Sequence, residues 1–180
     1  GVKLDARGSY NLSSNVLAAN RIRFRETRFR IEAPATALTS TTISTLGMTI
    51  SVNAKIEDTD GLLSGSTLPK IEVRGYVDSD GSLVADELKE EGGDAGKVRV
   101  RGRVDSGSLR GDASTFSFTL FDGQLVVDGL NAVEFEINDA TVTRAAFFAA
   151  LGDNVEVDVD AASYDGFGNL TGAKLEIENN

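Results

Sequence analysis

Residues 71–75 alternate Ile, Glu, Val, Arg and Gly, which sends apolar groups to one face of an extended chain and charges to the other. Residues 98–104 (VRVRGRV) repeat that alternation. Residues 116–120 and 124–128 flank Asp122-Gly123 and read as two strands around a tight reversal. Shorter alternating runs at 28–32, 42–46, 48–52 and 134–137 predict further strands. Residues 144–151 break the pattern with an apolar cluster after Thr143, a helix N-cap residue, and before Gly152, a helix terminator; they predict one short helix. Residues 58–68, rich in Gly and Ser, predict a loop at the corresponding place in the first half.

One hairpin plan occurs three times. Residues 2–24, 71–91 and 155–178 each run from an alternating strand through a turn of Asp, Asn, Ser and Gly into Leu-x-Ala or its like, then a second alternating strand. Superposed, Leu4, Val73 and Val157 match, as do Ile22, Leu88 and Leu175. Asp80-Gly81 and Asp165-Gly166 supply the backbone freedom of the reversal. Tyr10, Tyr76 and Tyr164 recur beside it. A lone hairpin is marginal in water, so each is expected to close a larger sheet. Three strands, a short helix or loop, and a hairpin is the order of an OB-type barrel. The fold expected is therefore all-β, with tandem small OB-like five-stranded barrels and one short helix in the second. Its units are 27–91 and 96–180, joined by Gly92-Gly93-Asp94-Ala95, with 1–26 the terminal hairpin of a preceding repeat. The chain reads as a fragment of a longer array.

The motif Ile71-Glu-Val-Arg-Gly-Tyr, followed by Gly81-Ser-Leu83-Val-Ala85 and Leu88 and echoed at Val155-Glu-Val, resembles a bacterial family known as domain of unknown function 5666. That family carries a VEV-x-G … G-x-L-x-A-x-x-I signature in tandem copies. The resemblance covers most of 27–180 and is strongest at the hairpins. In the second unit Val159 stands near the family Gly, and Phe167-Gly168-Asn169 lengthen the turn. The resemblance implies small β-barrel units in exported or lipid-anchored bacterial proteins of unassigned function; it assigns no catalytic residue.

Composition then narrows the chemistry. Neither Cys nor His occurs among the 180 residues, which excludes disulfides, thiolate catalysis, a Ser-His-Asp triad and His- or Cys-ligated metal. Carboxylate pairs such as Glu134 with Glu136 and Asp158 with Asp160 lie on solvated strand faces, so a two-carboxylate glycosidase is not indicated and the chain reads as no enzyme. No apolar run reaches the length of a membrane span. Of the net charge of −10, residues 111–180 hold only Arg144 and Lys174 as cations; that segment repels nucleic acid.

Two candidate sites remain. Arg21, Arg23, Arg25, Arg28 and Arg30, echoed by Arg99, Arg101 and Arg103, form stripes that could bind a polyanion, an acidic glycan or single-stranded nucleic acid. The plainer reading pairs them across the sheet with Glu72, Glu156 and Asp158, and is the one favoured. Asp58-Thr-Asp60-Gly and Asp78-Ser-Asp80-Gly have the look of a calcium loop but supply too few carboxylates for more than weak Ca2+ binding; as turns they are fully accounted for. No other cofactor is expected. The function expected is a non-catalytic binding or spacer module of an exported envelope protein, periplasmic, outer-membrane-associated or extracellular, meeting a protein or glycan.

Overall fold

The computed structural model describes residues 3–178 apart from 26, 95, 113 and 115. β1 (Lys3–Asn11) and β2 (Val16–Arg25) form an antiparallel two-stranded sheet that, among the described residues, pairs with no other strand. The remaining strands belong to one thirteen-stranded sheet.

β3 (Thr27–Leu38), β4 (Thr42–Thr45), β5 (Met48–Asp58), β6 (Lys70–Val77) and β7 (Leu83–Glu90) close into a five-stranded barrel in the ring order β3-β4-β5-β7-β6-β3. All pairs are antiparallel except β5 with β7. This is the OB-type order anticipated from the strand pattern. Local chemistry makes the turns. Leu46 and Gly47 both take positive φ (50° and 72°), the requirement of a tight two-residue reversal between β4 and β5. The loop after β5 is not wholly irregular. The Asp58 carboxylate accepts the Leu62 and Leu63 amides at 2.9 and 3.0 Å, winding a 3-10 turn over Leu62–Ser64 that buries Leu62. Gly75 of β6 faces a β-bulge in β7, where Asp86 is the extra residue, and a Cβ on it would stand 2.0 Å from the Val84 carbonyl oxygen.

The second set of strands follows the same pairing order. β8 (Val98–Arg103) extends through a bridge from Val104 to Leu120, the end of β9 (Ser117–Leu120). β9 pairs with β10 (Leu125–Asp128). β11 (Glu134–Ile137) continues from β10 and turns into the short β12 (Ala140–Thr141). α1 (Arg144–Ala150) follows, its N-cap Thr143 hydroxyl accepting the Ala146 amide at 3.2 Å as its sequence position requires. The helix ends one residue earlier than the position of Gly152 implies. Leu151 turns extended (φ −72°, ψ 132°) because its side chain is buried in the core. β13 (Glu156–Tyr164) pairs with β8, with β14 (Asn169–Thr171) and with β15 (Lys174–Ile177); β10 is parallel to β14, and β11 to β15.

The two rings join where β3 runs antiparallel to β8, with Ile31 opposite Val100, Arg30 opposite Arg101 and Glu32 opposite Arg99. Ile31 faces Val73 on its other side and Val100 faces Val159, so the paired residues hold equivalent places in their own rings. The contact is thus close to a two-fold one. It is reciprocal at the tips. The β6–β7 turn at Gly81 lies beside Asp122 of the β9–β10 turn, and the β4–β5 turn at Gly47 lies against the Tyr164 hydroxyl of the β13–β14 hairpin. Phe29 of β3 meets Phe121 edge to face at 5.9 Å. The second core is the more aromatic, with Phe116 packed on Phe118, Phe147 and Phe148 at 5.7, 6.1 and 5.1 Å.

Register corrects two matches made by superposing the hairpins. Val73 opposes Leu88, and the residue opposing Leu175 is Val159, two positions beyond Val157. In the first hairpin Ala6, not Leu4, takes that place, opposite Ile22. Alternation hides a two-residue slip because the face stays the same. Tyr10 and Tyr164 do share a position, that of Val77, but Tyr76 falls one residue earlier and faces the other way.

Candidate functional site

Strands β7, β6, β3, β8, β13 and β15 present their outward residues on one continuous charged face. Outward positions on strands are normally solvated, yet three carboxylates here are buried: Glu176 at 9% exposed and, deepest, Glu72 at 1% and Asp158 at 3%. Glu72 and Asp158 hold equivalent places in the two rings, next to Val73 and Val159. Glu72 accepts a 2.9 Å bond from Arg30 Nε and a second, shorter one from Nη2, and Arg74 Nε and Lys89 Nζ lie 2.8 and 3.3 Å from its other oxygen. Asp158 accepts from Arg99 (Nε 3.0 Å, Nη2 2.8 Å) and from Arg101 (Nε 3.1 Å, Nη2 2.9 Å). Long cationic side chains thus lie over the carboxylates and shield them from water.

Burial pushes the Glu72 carboxyl up, but the bonds from Arg30 and Lys89 and the charge of Arg74 outweigh it and hold the group below the usual range. Glu32, directly opposite Glu72, goes the other way: burial raises it more than Arg30 and Arg99 lower it. Arg30 bridges the two carboxylates.

The arginine stripes therefore have partners. Arg28 forks onto Asp86 at 2.5 and 2.9 Å, and Arg101 also reaches Glu178 at 2.8 Å. Arg103 opposes Glu156 in register and donates to the Asn154 carbonyl at 3.1 Å. Arg21, Arg23 and Arg25 fall on β2; their side chains lie outside the described residues. A groove of about 400 Å³ gathers Arg28, Arg30, Arg74 and Arg101, but Glu87 and Glu156 line it too.

The carboxylates of the two Asp-x-Asp-Gly turns accept bonds from nearby amides and a hydroxyl. Asp58 caps the 3-10 turn as described, and Asp60 accepts the Glu90 amide at 2.7 Å. Asp78 accepts the Ser79 amide at 2.7 Å, and Asp80 accepts the Ser82 amide and hydroxyl at 2.9 and 2.6 Å. Neither pair belongs to a convergent carboxylate group. Among the described residues such a group forms at Glu136, Asp139 and Glu176, and Lys174 Nζ already lies 2.7 Å from Glu136 and 3.6 Å from Glu176. Glu136 is lowered by that lysine first of all.

A cleft of about 470 Å³ lies between the rings, lined by Asp80, Gly81, Arg103, Phe121 and Asp122. Beside it Asp105 accepts the Thr119 hydroxyl at 2.7 Å and the Asp122 and Gly123 amides at 3.0 and 2.8 Å, clasping the end of β8 to the β9–β10 turn. Asp105 went unnoticed in the sequence, where a lone Asp before Ser-Gly reads as loop. Two carboxylates along these walls, Asp80 and Asp105, accept bonds from the chain's own amides and hydroxyls.

Fold and site together define an all-β protein of the OB-barrel type, its most elaborate polar feature a structural charge network. Residues 32–89, nearly all of the first barrel, match the family described as Domain of unknown function (DUF5666), the family that the hairpin motif resembles. No curated protein and no solved structure matches the chain. Among the described residues no helix is long and apolar enough to cross a membrane.

Proposed function

We propose that the chain is a non-catalytic binding or spacer module of an exported bacterial envelope protein. In this reading it sits in the periplasm, at the outer membrane or outside the cell, where its partner is a protein or glycan. The observation that carries it is the charged face running unbroken from one ring into the other across β3 and β8. Cations that would attract a polyanion, and carboxylates that would move protons, are matched to one another within it. Such a face joins units and keeps them soluble without presenting reactive groups. A broad hydrolase and transferase screen of the purified chain tests this: no turnover is expected, and turnover abolished by substituting a single carboxylate overturns it.

The polyanion reading draws support only from the four-arginine groove. Heparin and single-stranded DNA columns at low salt separate the readings. Flow-through is expected; retention that falls steeply with salt and is lost in Arg74→Gln favours the groove.

A further inference from the structure

The β1–β2 hairpin repeats β6–β7 in backbone detail. Each first strand carries, directly after an arginine, a glycine that faces a β-bulge in the second strand: Arg7-Gly8 in one, Arg74-Gly75 in the other. A Cβ on Gly8 would stand 2.0 Å from the Ala18 carbonyl oxygen, and one on Gly75 the same 2.0 Å from that of Val84. The bulge sets Gly8 opposite Ala19 and Tyr10 opposite Leu17, as it sets Gly75 opposite Ala85 and Val77 opposite Leu83.

What differs is the surroundings. Leu83 is 2% exposed, whereas Leu17, at the same place, is 41% exposed, and Tyr10 and Val16 beside it are 54% and 55%. Leu83 is buried because β6–β7 is held on both edges: β6 lies antiparallel to the first strand of its barrel and β7 parallel to the third. In the second ring β13 and β14–β15 are held the same way, by β8 and by β10–β11. Among the described residues no strand lies on either edge of β1–β2. Two free edges and an uncovered apolar face on a hairpin of this plan are what the barrels would leave if their first three strands were removed.

We propose that β1–β2 is a donor hairpin, supplying the fourth and fifth strands of a further barrel whose first three strands come from another unit of this same kind. Those strands would add antiparallel to β1 and parallel to β2 and bury Leu17. The inference stands apart from the envelope reading, since it concerns strand pairing alone.

The probe is residues 27–60, which span β3, β4 and β5, used with the full chain in two forms: as a separate peptide added in excess, and fused ahead of residue 1 through a flexible linker. Amide hydrogen exchange of β1 and β2 is the readout. The free hairpin should exchange quickly, and the completed barrel should slow it about tenfold or more. Slowing in the fusion alone assigns the three strands to the same polypeptide; slowing with the added peptide as well shows that another molecule can supply them. Leu17→Lys, which keeps the turn and bulge but makes burial costly, should abolish the slowing. Unchanged exchange in both forms while β3 and β8 stay protected overturns the proposal, as does slowing that survives Leu17→Lys.

Discussion

The first ring runs its third and fifth strands, β5 and β7, without a break, whereas the second splits both, into β10 with β11 and β14 with β15. The contents of the two cores explain it. The first is filled by aliphatic side chains such as Ile31, Ile43, Ile50 and Leu88 and is covered at one end by Leu62 from the 3-10 turn. The second takes in Phe116, Phe118, Phe135 and Phe147, with α1 as its cover. Rings of that size need room beside the backbone. At the break between β10 and β11, Gly129 provides it: a Cβ there would stand 2.5 Å from the Phe116 ring. At the other break Gly172 lies under Leu175 and Val159, 3.0 and 3.2 Å from the same hypothetical atom. One pairing order thus tolerates two cores, provided that glycine marks the points where the larger side chains press on the strands.

The sharpest way to break the comparison is at those glycines. Gly75→Val drives a side chain into a backbone carbonyl, which cannot retreat without opening the β6–β7 pairing. A loss of about 4 kcal/mol or more is expected, close to unfolding the first barrel. Gly129→Val meets the edge of a ring, which can turn, so the loss should be smaller, about 1–3 kcal/mol. Denaturant unfolding of the two variants would rank them; equal losses would mean that the second core is no more yielding than a hydrogen-bonded strand pair.

The cores themselves come next. Phe116→Ala removes the ring on which Phe118, Phe147 and Phe148 converge and should cost about 3–5 kcal/mol, with α1 losing its support. Ile43→Ala in the first barrel should cost about 2–4 kcal/mol and leave α1 untouched. Hydrogen exchange resolved by segment would separate the two. Loss of α1 protection in Ile43→Ala would show that the rings share one core energetically as well as spatially.

Much of the fold could be read directly from alternation and turn chemistry, because those signals are local. The Ile71–Gly75 run, the Asp-Gly reversals and the Thr143 cap each depend on residues a few positions apart. Less legible was anything set by strand pairing. Superposing hairpins placed Val157 where Val159 stands, since a two-residue slip preserves the apolar face and only the neighbouring strand decides. The same limit applied to the site. Glu72 and Asp158 read, with Glu156, as partners of the arginines on a solvated face, and nothing local marks the first two as buried. They are buried because Arg30 and Lys89 in one ring, and Arg99 and Arg101 in the other, come from adjacent strands to lie over them, joined by Arg74 from Glu72's own strand.

Glu72 and its neighbour Glu32 supply effects that carry opposite signs with pH. Glu72→Gln keeps the shape but gives up charge-assisted bonds, and about 1.5–3 kcal/mol should go at neutral pH. Because the folded-state pKa of Glu72 lies below its unfolded value, its stabilisation is full above the unfolded pKa and fades as pH falls through the folded one. The gap between wild type and Glu72→Gln should therefore close in acid. Glu32 obeys the opposite rule. Its folded pKa is raised, so whatever it contributes is present below the unfolded pKa and is lost as pH rises through the folded value. Glu32→Gln should then leave stability at neutral pH unchanged or slightly increased, by less than about 1 kcal/mol, and remove a little in acid. Melting curves of both variants across pH 3–7 give the two slopes. Parallel rather than opposed slopes would mean that Arg30 serves both carboxylates equally, and that the burial separating Glu72 from Glu32 has no energetic counterpart.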